Sequence, residues 1–291
     1  MIKVAIVGFG NVGKAVYEAI SASDDFELKY IVSKRTMDVI VPILKDVSEL
    51  NNIDVAILAS PSRAVPDLAA SLLSKGICTV DSYDIHSNIV DVRARLDKIA
   101  KENNSAAIIS AGWDPGTDSV VRALMLAMVP KGITYTNFGP GMSMGHTVAV
   151  KAIPGVKDAL SMTIPVGSGV HRRIVYVELQ EGADFNTVSK AIREDAYFVH
   201  DETHVIKVES VDELKDVGHG VNLLRKGTSG VTANQRMEFN MSINNPALTG
   251  QIMVSAARAV VKQKPGCYTM IEIPPIDYLA GDRDKLIHEL V

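Results

Sequence analysis

Residues 2–13 read IKVAIVGFGNVG, a β-branched run that ends in glycines at positions 8, 10 and 13. No other feature of the chain constrains its fold as much. A short apolar run closed by glycine predicts a strand buried on both faces. The following NVGKAVYEAIS sets Val12, Val16, Ala19 and Ile20 on one helical stripe. Gly8, Gly10 and Gly13 then fit G-x-G-x-x-G, placed between a strand and a helix. In that setting Gly8 permits the tight turn and Gly10 lets the backbone approach a pyrophosphate. Gly13 allows close helix–strand packing, and the helix N-terminus offers amides to phosphate. Glycines at such turns are common, and the blander alternative is a turn without a ligand. The strand–helix context favours a dinucleotide site.

The alternation continues. FELKYIV (26–32), DVAILAS (54–60), GICTVDS and SAAIIS read as strands, while residues 64–75 and NIVDVRARLDKIAKEN carry helix-spaced apolar residues. Strands alternating with helices predict an α/β fold, a Rossmann-type parallel sheet with right-handed crossovers. Directly after the second strand stand Ser33, Lys34 and Arg35. A site for NAD usually carries a carboxylate here, on the ribose 2′-hydroxyl. Three donors, one a forked guanidinium, suit a 2′-phosphate instead, which predicts NADP(H). Elsewhere in the chain the same residues would read as a solvated basic loop, and nearby Asp38 leaves room for some use of NAD. The loop ASPSRAVP leaves the third strand, with Ser60, Ser62 and Arg63 in reach of a cofactor.

Two later strand ends run into DSYDIH and AGWDPG, putting Asp84 and Asp114 at the carboxyl edge of the sheet, where ligands of open α/β folds bind. Acids at strand ends also cap helices, and Asp118 or Thr117 is the better cap for the helix after Gly116. Together the two aspartates suit a cation such as an ammonium. Asp84 and Asp114 are placed to face the nicotinamide end of the cofactor, with Trp113 either packed beside the nicotinamide or filling the turn, and Pro115 counted with the cofactor contacts. From Ile133 the pattern changes. GITYTNFGPGMSMGH reads as a ligand-lining loop, 174–180 as an antiparallel strand, and VGHGVNLLRKG with RMEFNMSINNPALTGQ as further antiparallel β structure. ALTGQIMVSAARAVVKQ returns to an amphipathic helix. The expected organisation is a dinucleotide-binding domain over 1–115, with 246–291 packing back on it. A mixed α+β region for substrate binding and oligomerisation is expected over 116–245. Met125 and Met128 are expected in a helix core, Met142 and Met144 in a pocket lining.

These stretches resemble the meso-diaminopimelate dehydrogenase family. The resemblance rests on GFGNVG, SKR, TVDSYDIH, GWDPGTDS, FGPGMSMGH, AIPGV, HRR, GHG and NNPALT, which run through nearly the whole chain. GWDPG together with GPGMSMGH carries most of the specificity. The resemblance implies reversible NADP-dependent oxidative deamination of the D-centre of meso-2,6-diaminopimelate, releasing ammonia. It implies cofactor contacts at Gly10, Asn11 and Val12, the phosphate set Ser33, Lys34 and Arg35, and backbone contacts at Ser82 and Tyr83. For the substrate it implies Asp84 and Asp114, then Phe138, Met144, Gly145, Thr163, Arg173, His219 and Asn245, with Asp84 as the catalytic group. Two departures stand out: Phe138 replaces a tryptophan of many relatives, and the stretch between Thr163 and His171 is shorter than in longer members. Outside the resemblance His219 would read as an ordinary loop residue; His86, His146 and His171 lie inside the matching motifs and still read as structural hydrogen-bonding groups.

The chemistry is consistent with this. A molecule with an ammonium and a carboxylate at each end needs carboxylates for the one and a guanidinium or hydroxyls for the other. Rival readings are a dihydrodipicolinate-reductase-like enzyme, a broader D-amino acid dehydrogenase aminating 2-keto acids, and a non-catalytic NADP(H) sensor. The net charge of −4 gives no reason to expect nucleic acid or an anionic membrane as partner. No leader pattern opens the chain and no apolar run approaches the roughly 20 residues of a bilayer span. Cys78 and Cys267 match no metal or redox spacing and read as buried free thiols of a reducing cytosol. No metal site is expected. A soluble cytoplasmic protein is therefore expected, forming a homodimer or higher homo-oligomer.

Overall fold

The computed structural model describes every residue except Thr36 and residues 215–217, together with all side chains but those of Met144 and Glu213. The chain divides into two compact units, one of residues Met1–Ala123 and Pro246–Val291, the other Leu124–Asn245. The first boundary lies eight residues beyond Pro115, where the sequence reading put it, because a helix continues through that point.

In the first unit β1 (Ile2–Val7), α1 (Asn11–Ser21), β2 (Phe26–Val32) and β3 (Ile43–Leu44) come first. They are followed by β4 (Val55–Leu58), α2 (Val65–Leu73), β5 (Cys78–Asp81), α3 (Ile89–Glu102) and β6 (Ala106–Ile109). Helix α4 (Thr117–Met128) leads into the second unit. There β7 (Lys131–Phe138), β8 (Gly141–Met142), α5 (Met144–Lys151), β9 (Val156–Gly167) and β10 (Val170–Leu179) follow. After them come α6 (Phe185–Glu194), β11 (Glu202–Lys207), β12 (His219–Ser229) and β13 (Thr232–Ile243). The chain then returns to the first unit as α7 (Ala247–Val260), β14 (Gly266–Thr269) and α8 (Arg283–Leu290). None of the helices is long and apolar enough to cross a membrane, among the described residues.

The first unit is built on a seven-stranded sheet in the order β14-β6-β5-β4-β1-β2-β3, with every pair parallel. Its strands are apolar on both faces because helices cover both. Val4 and Ile6 point to the side that packs against Val16 and Ile20 of α1 and Met253 and Val254 of α7. Ala5 and Val7 point the other way, against Leu72 and Leu73 of α2 and Leu96 of α3. Each fully buried Ile, Leu or Val contributes about 1.5–3 kcal/mol of apolar burial. β14, which adds the last strand beside β6, carries no period that the sequence reading could detect.

The second unit holds a four-stranded sheet, β11-β10-β9-β8, and a three-stranded antiparallel sheet, β13-β12-β7. Three expectations change here. The stretch from Ile133 is no continuous loop: its first half is strand β7 and its end is helix α5. The β-branched and aromatic run Ile133, Thr134, Tyr135 and Thr136 suits a strand, and a Gly-Pro-Gly turn follows it. The strand around 174–180 is antiparallel to β9 but parallel to β11, since α6 provides the crossover that a parallel pair requires. Met128 is 51% exposed rather than core, whereas Met125 is buried. Val150, Val175, Val177, Val188, Ile192 and Phe198 form this unit's own core.

Candidate active site

The strand order of the first sheet reverses between β1 and β4, the point at which open α/β folds bind ligands beyond the carboxyl ends of their strands. A cleft of 800 Å³ opens there, lined by the segments that follow β1, β2 and β4. Its floor depends on two close approaches. A Cβ on Gly8, whose φ is +95°, would lie 2.4 Å from the carbonyl oxygen of Ala59; one on Gly13 would lie 2.2 Å from that of Gly8. A Cβ on Gly10, by contrast, would meet nothing within 4 Å. Gly10 is the N-cap of α1, whose first turn has no side-chain cap and no acidic residue. The helix therefore presents its amides and positive dipole end to the cleft at Asn11 and Val12.

Ser33, Lys34 and Arg35 line the same cleft. Ser33 is held by its amide on the Leu44 carbonyl, and its hydroxyl accepts the Arg35 amide at 3.1 Å. The two-residue strand β3 brings a cation that the sequence reading missed: Lys45 lines the cleft, with Nζ 3.5 Å from the carbonyl of Ser33. β3 is too short to leave a periodic signal. Asp46 also lines the cleft, but its carboxylate caps a 3-10 turn, accepting the Ser48 amide at 2.8 Å, and those bonds hold its pKa low. The donor set suits a dinucleotide phosphate: open helix amides, a glycine backbone with free space above it, and cations at the end of β2.

The other expected cofactor residues divide between the cleft lining and its surroundings. Ser60 and Ser82 line the cleft, and Gly13 packs behind it. Ser62 and Arg63 do not line it; the Ser62 hydroxyl donates to Asp84 Oδ1 at 2.6 Å. The Tyr83 side chain is core, leaving only its backbone for a ligand. Trp113 and Pro115 are buried in the loop that carries Asp114.

The loops bearing Asp84 and Asp114 meet at Asp81. Its fully buried Oδ1 accepts the amide of Tyr83 at 2.9 Å and that of Ser110 at 3.1 Å, and its carbonyl accepts the amide of Ala111 at 2.7 Å. Burial outweighs these bonds and raises its pKa to about 6. Asp84 is exposed, while the Asp114 side chain is 16% exposed with Arg122 Nη2 at 3.8 Å from Oδ1. Arg122 Nη2 is also 2.5 Å from Oδ2 of Asp118. Asp118 is thus no helix cap; it is buried behind Asp114, and Thr117 donates its hydroxyl to the Trp113 carbonyl. Burial first, then the charge of Asp114, push Asp118 up to about 7 against the pull of Arg122.

In the second unit, sheet register assembles a separate group. Gly141 pairs with Thr163 across β8 and β9, and Thr163 with Arg173 across β9 and β10. Gly139, at φ +93°, lets the turn pass so close to β9 that a Cβ would sit 2.1 Å from the Thr163 carbonyl. Arg173 Nη1 donates to the Thr163 hydroxyl, and Nε donates to Asp201 Oδ2 at 2.6 Å. Asp201 was not foreseen; its partner lies 28 residues away and only the β10–β11 pairing brings the two together. The Phe138 amide donates to His171 Nε2 at 2.8 Å. His219 opens β12 opposite Ile243, and burial lowers its pKa. Asn245 lies in the turn two residues beyond Ile243. Gly145 is exposed in the first turn of α5, and the Met144 side chain lies outside the described residues.

The chain is 58% identical, over 100% of its own length and 99% of the relative's, to a meso-diaminopimelate D-dehydrogenase of Bacteroides fragilis. The chain belongs to the meso-diaminopimelate dehydrogenase family. A second member, from Corynebacterium glutamicum, is 30% identical with 98% of each chain covered. The model for the diaminopimelic acid dehydrogenase C-terminal domain matches residues 112–172 of this dehydrogenase. Its fold matches a solved C. glutamicum diaminopimelate dehydrogenase in complex with diaminopimelate, at TM-score 0.85, 30% identity, and 100% and 99% of the two chains. It also matches an engineered D-amino acid dehydrogenase bound to NADP+, at TM-score 0.80, 28% identity and the same coverage. The likeness to a dihydrodipicolinate reductase, 13% identical at TM-score 0.53, is one of fold alone.

Proposed function

We propose that this dehydrogenase catalyses the reversible NADP-dependent oxidative deamination of the D-centre of meso-2,6-diaminopimelate, giving L-2-amino-6-oxopimelate and ammonia. The observation that carries the reading is the full-length 58% identity to a relative of that name. The cleft at the end of β1, with its cationic set at Ser33, Lys34 and Arg35, supports NADP(H) as cofactor.

Bound nicotinamide supplies a hydride acceptor for the D-centre carbon. The chain's own residues supply position and charge. The amides of Asn11 and Val12 hold the pyrophosphate, and Lys34 and Arg35 hold the 2′-phosphate. Asp84 holds the reacting amine and accepts its proton, then assists the water that adds to the substrate imine. Asp114, backed by Asp118 and Arg122, gives the amine a second anionic neighbour. Arg173, Thr163, His219 and Asn245 take a carboxylate and the end of the substrate that does not react, and Phe138 and Gly145 provide contact surface. One substrate ammonium and one water thus give the oxo acid, ammonium and a proton, the hydride leaving with the cofactor.

The free thiols Cys78 and Cys267 suit a reducing cytoplasm. The edge position of β13 suits pairing between copies in a homo-oligomer. The test follows formation of reduced nicotinamide with NADP+ and each stereoisomer of 2,6-diaminopimelate, with small D-amino acids as a control panel. Turnover with isomers carrying a D-centre supports the reading. Tight NADPH binding with silence toward every isomer ends it in favour of a reductase or a sensor.

A further inference from the structure

The Arg173–Asp201 pair leaves both of its charges with work to do. The Arg173 side chain is 13% exposed and that of Asp201 26%, so the pair is sheltered yet reachable. Arg173 spends Nε on Asp201 Oδ2 and Nη1 on Thr163. Among the described residues, no hydrogen bond occupies Nη2 of Arg173 or Oδ1 of Asp201. The pair is held from behind: β9 fixes Thr163 opposite Arg173, and the Thr203 hydroxyl donates to the Asp201 carbonyl at 3.2 Å.

Two other carboxylates stand near Asp201, and Asp195, which acts on His146, accepts the Tyr197 amide at 2.9 Å. His146 and His171 both sense Arg173 and Asp201, and both are held toward the neutral form, by burial first and then by the guanidinium. Glu202 is turned to other partners, with Arg172 at 2.9 Å and His204 at 2.8 Å. A guanidinium standing alone would take any carboxylate. A guanidinium with a carboxylate fixed beside it has no net charge, and favours a ligand that brings both an anion and a cation.

We propose that Asp201 is a specificity residue that reads the second ammonium group of the substrate, while Arg173 reads the carboxylate on the same carbon. The amino-acid end remote from the reacting carbon is a zwitterion, and the pair is its mirror in charge. A plain dicarboxylate chain would leave Asp201 facing an alkyl carbon and a carboxylate, which is a cost rather than a contact. This rests on the reading that Arg173 belongs to the substrate site.

The test compares meso-2,6-diaminopimelate with D-2-aminopimelate, which has the same carbon chain and no remote amino group. With wild type and Asp201→Asn, kcat/KM is measured for both at saturating NADP+. The expected result is a loss of about tenfold or more for meso-diaminopimelate, carried by KM, with D-2-aminopimelate within about twofold of wild type or improved. Asp201→Glu should recover part of the preference, and Asp201→Ser repeats the comparison if the Asn variant melts early. Equal losses on both substrates would show that Asp201 only steadies Arg173, and an unchanged ratio would likewise overturn the proposal. A wild type that binds NADP+ but turns over neither compound overturns the functional reading itself, a result distinct from both.

Discussion

Ser62 donates its hydroxyl hydrogen to Asp84 Oδ1 across 2.6 Å, and the amide of Asp84 lies 3.4 Å from the same hydroxyl. A residue expected to touch cofactor therefore orients the carboxylate assigned to the reacting amine. Loss of one such bond to a charged group is worth about 1.5–3 kcal/mol at most. Ser62→Ala should lower kcat by about tenfold, and Asp84→Asn by more, with the Kd for NADPH unchanged in both. Steady-state rates beside NADPH fluorescence titration check this. Full turnover by Asp84→Asn would remove its catalytic role.

The cationic set at the end of β2 makes a prediction about cofactor choice. Arg35→Ala should raise the KM for NADP+ by about tenfold or more while leaving that for NAD+ nearly unchanged, because only the former brings a 2′-phosphate to a charge-assisted fork. Lys45→Ala should shift the same ratio in the same direction but by less, since its Nζ reaches only the Ser33 carbonyl. Equal effects on both cofactors would place these side chains away from the phosphate.

Gly13 has no room for a methyl group. Its Cβ would sit 2.2 Å from the Gly8 carbonyl oxygen, which is backbone and cannot rotate away. Gly13→Ala should cost about 1–3 kcal/mol by forcing α1 off the sheet and should weaken NADP+ binding with it. At Gly10 the space is open, so Gly10→Ala should leave the melting temperature close to wild type and yet weaken the cofactor, whose backbone contact a methyl group would block. Thermal melts with and without NADP+ separate the two cases.

Burial raises the Asp81 carboxyl from 3.8 to about 6 in the folded protein. Between those values the native state binds more protons than the unfolded chain, so this residue makes stability fall as pH rises, with no further change above about pH 6. Asp81→Asn can keep an acceptor for the Tyr83 and Ser110 amides but does not ionise. Its melting temperature, relative to wild type, should therefore climb from about pH 4 to about pH 6 and then level off, for a total on the order of 3 kcal/mol. A constant offset between the two melting curves would contradict the assignment.

The local pattern of this chain determined much. Apolar runs such as IKVAIV, glycines at fixed offsets and helix-spaced stripes are read between near neighbours. They were enough for the parallel sheet, the cleft beyond β1 and the basic set at Ser33, Lys34 and Arg35. They were not enough where composition masked the period, as in β7 and α5, or where two residues sufficed for a strand, as in β3. The partners of individual charges were beyond sequence reading altogether. Asp118 could pass for a helix cap until burial and Arg122 claimed it. The bond from Ser62 to Asp84 left no trace in the sequence, because the packing of two loops makes it. Asp201 gave no signal, because its meaning depends on Arg173 in another strand, 28 residues away. Periodicity reports which face of an element is apolar. Which charges meet depends on strand order and register, and those are settled only when the whole core is packed.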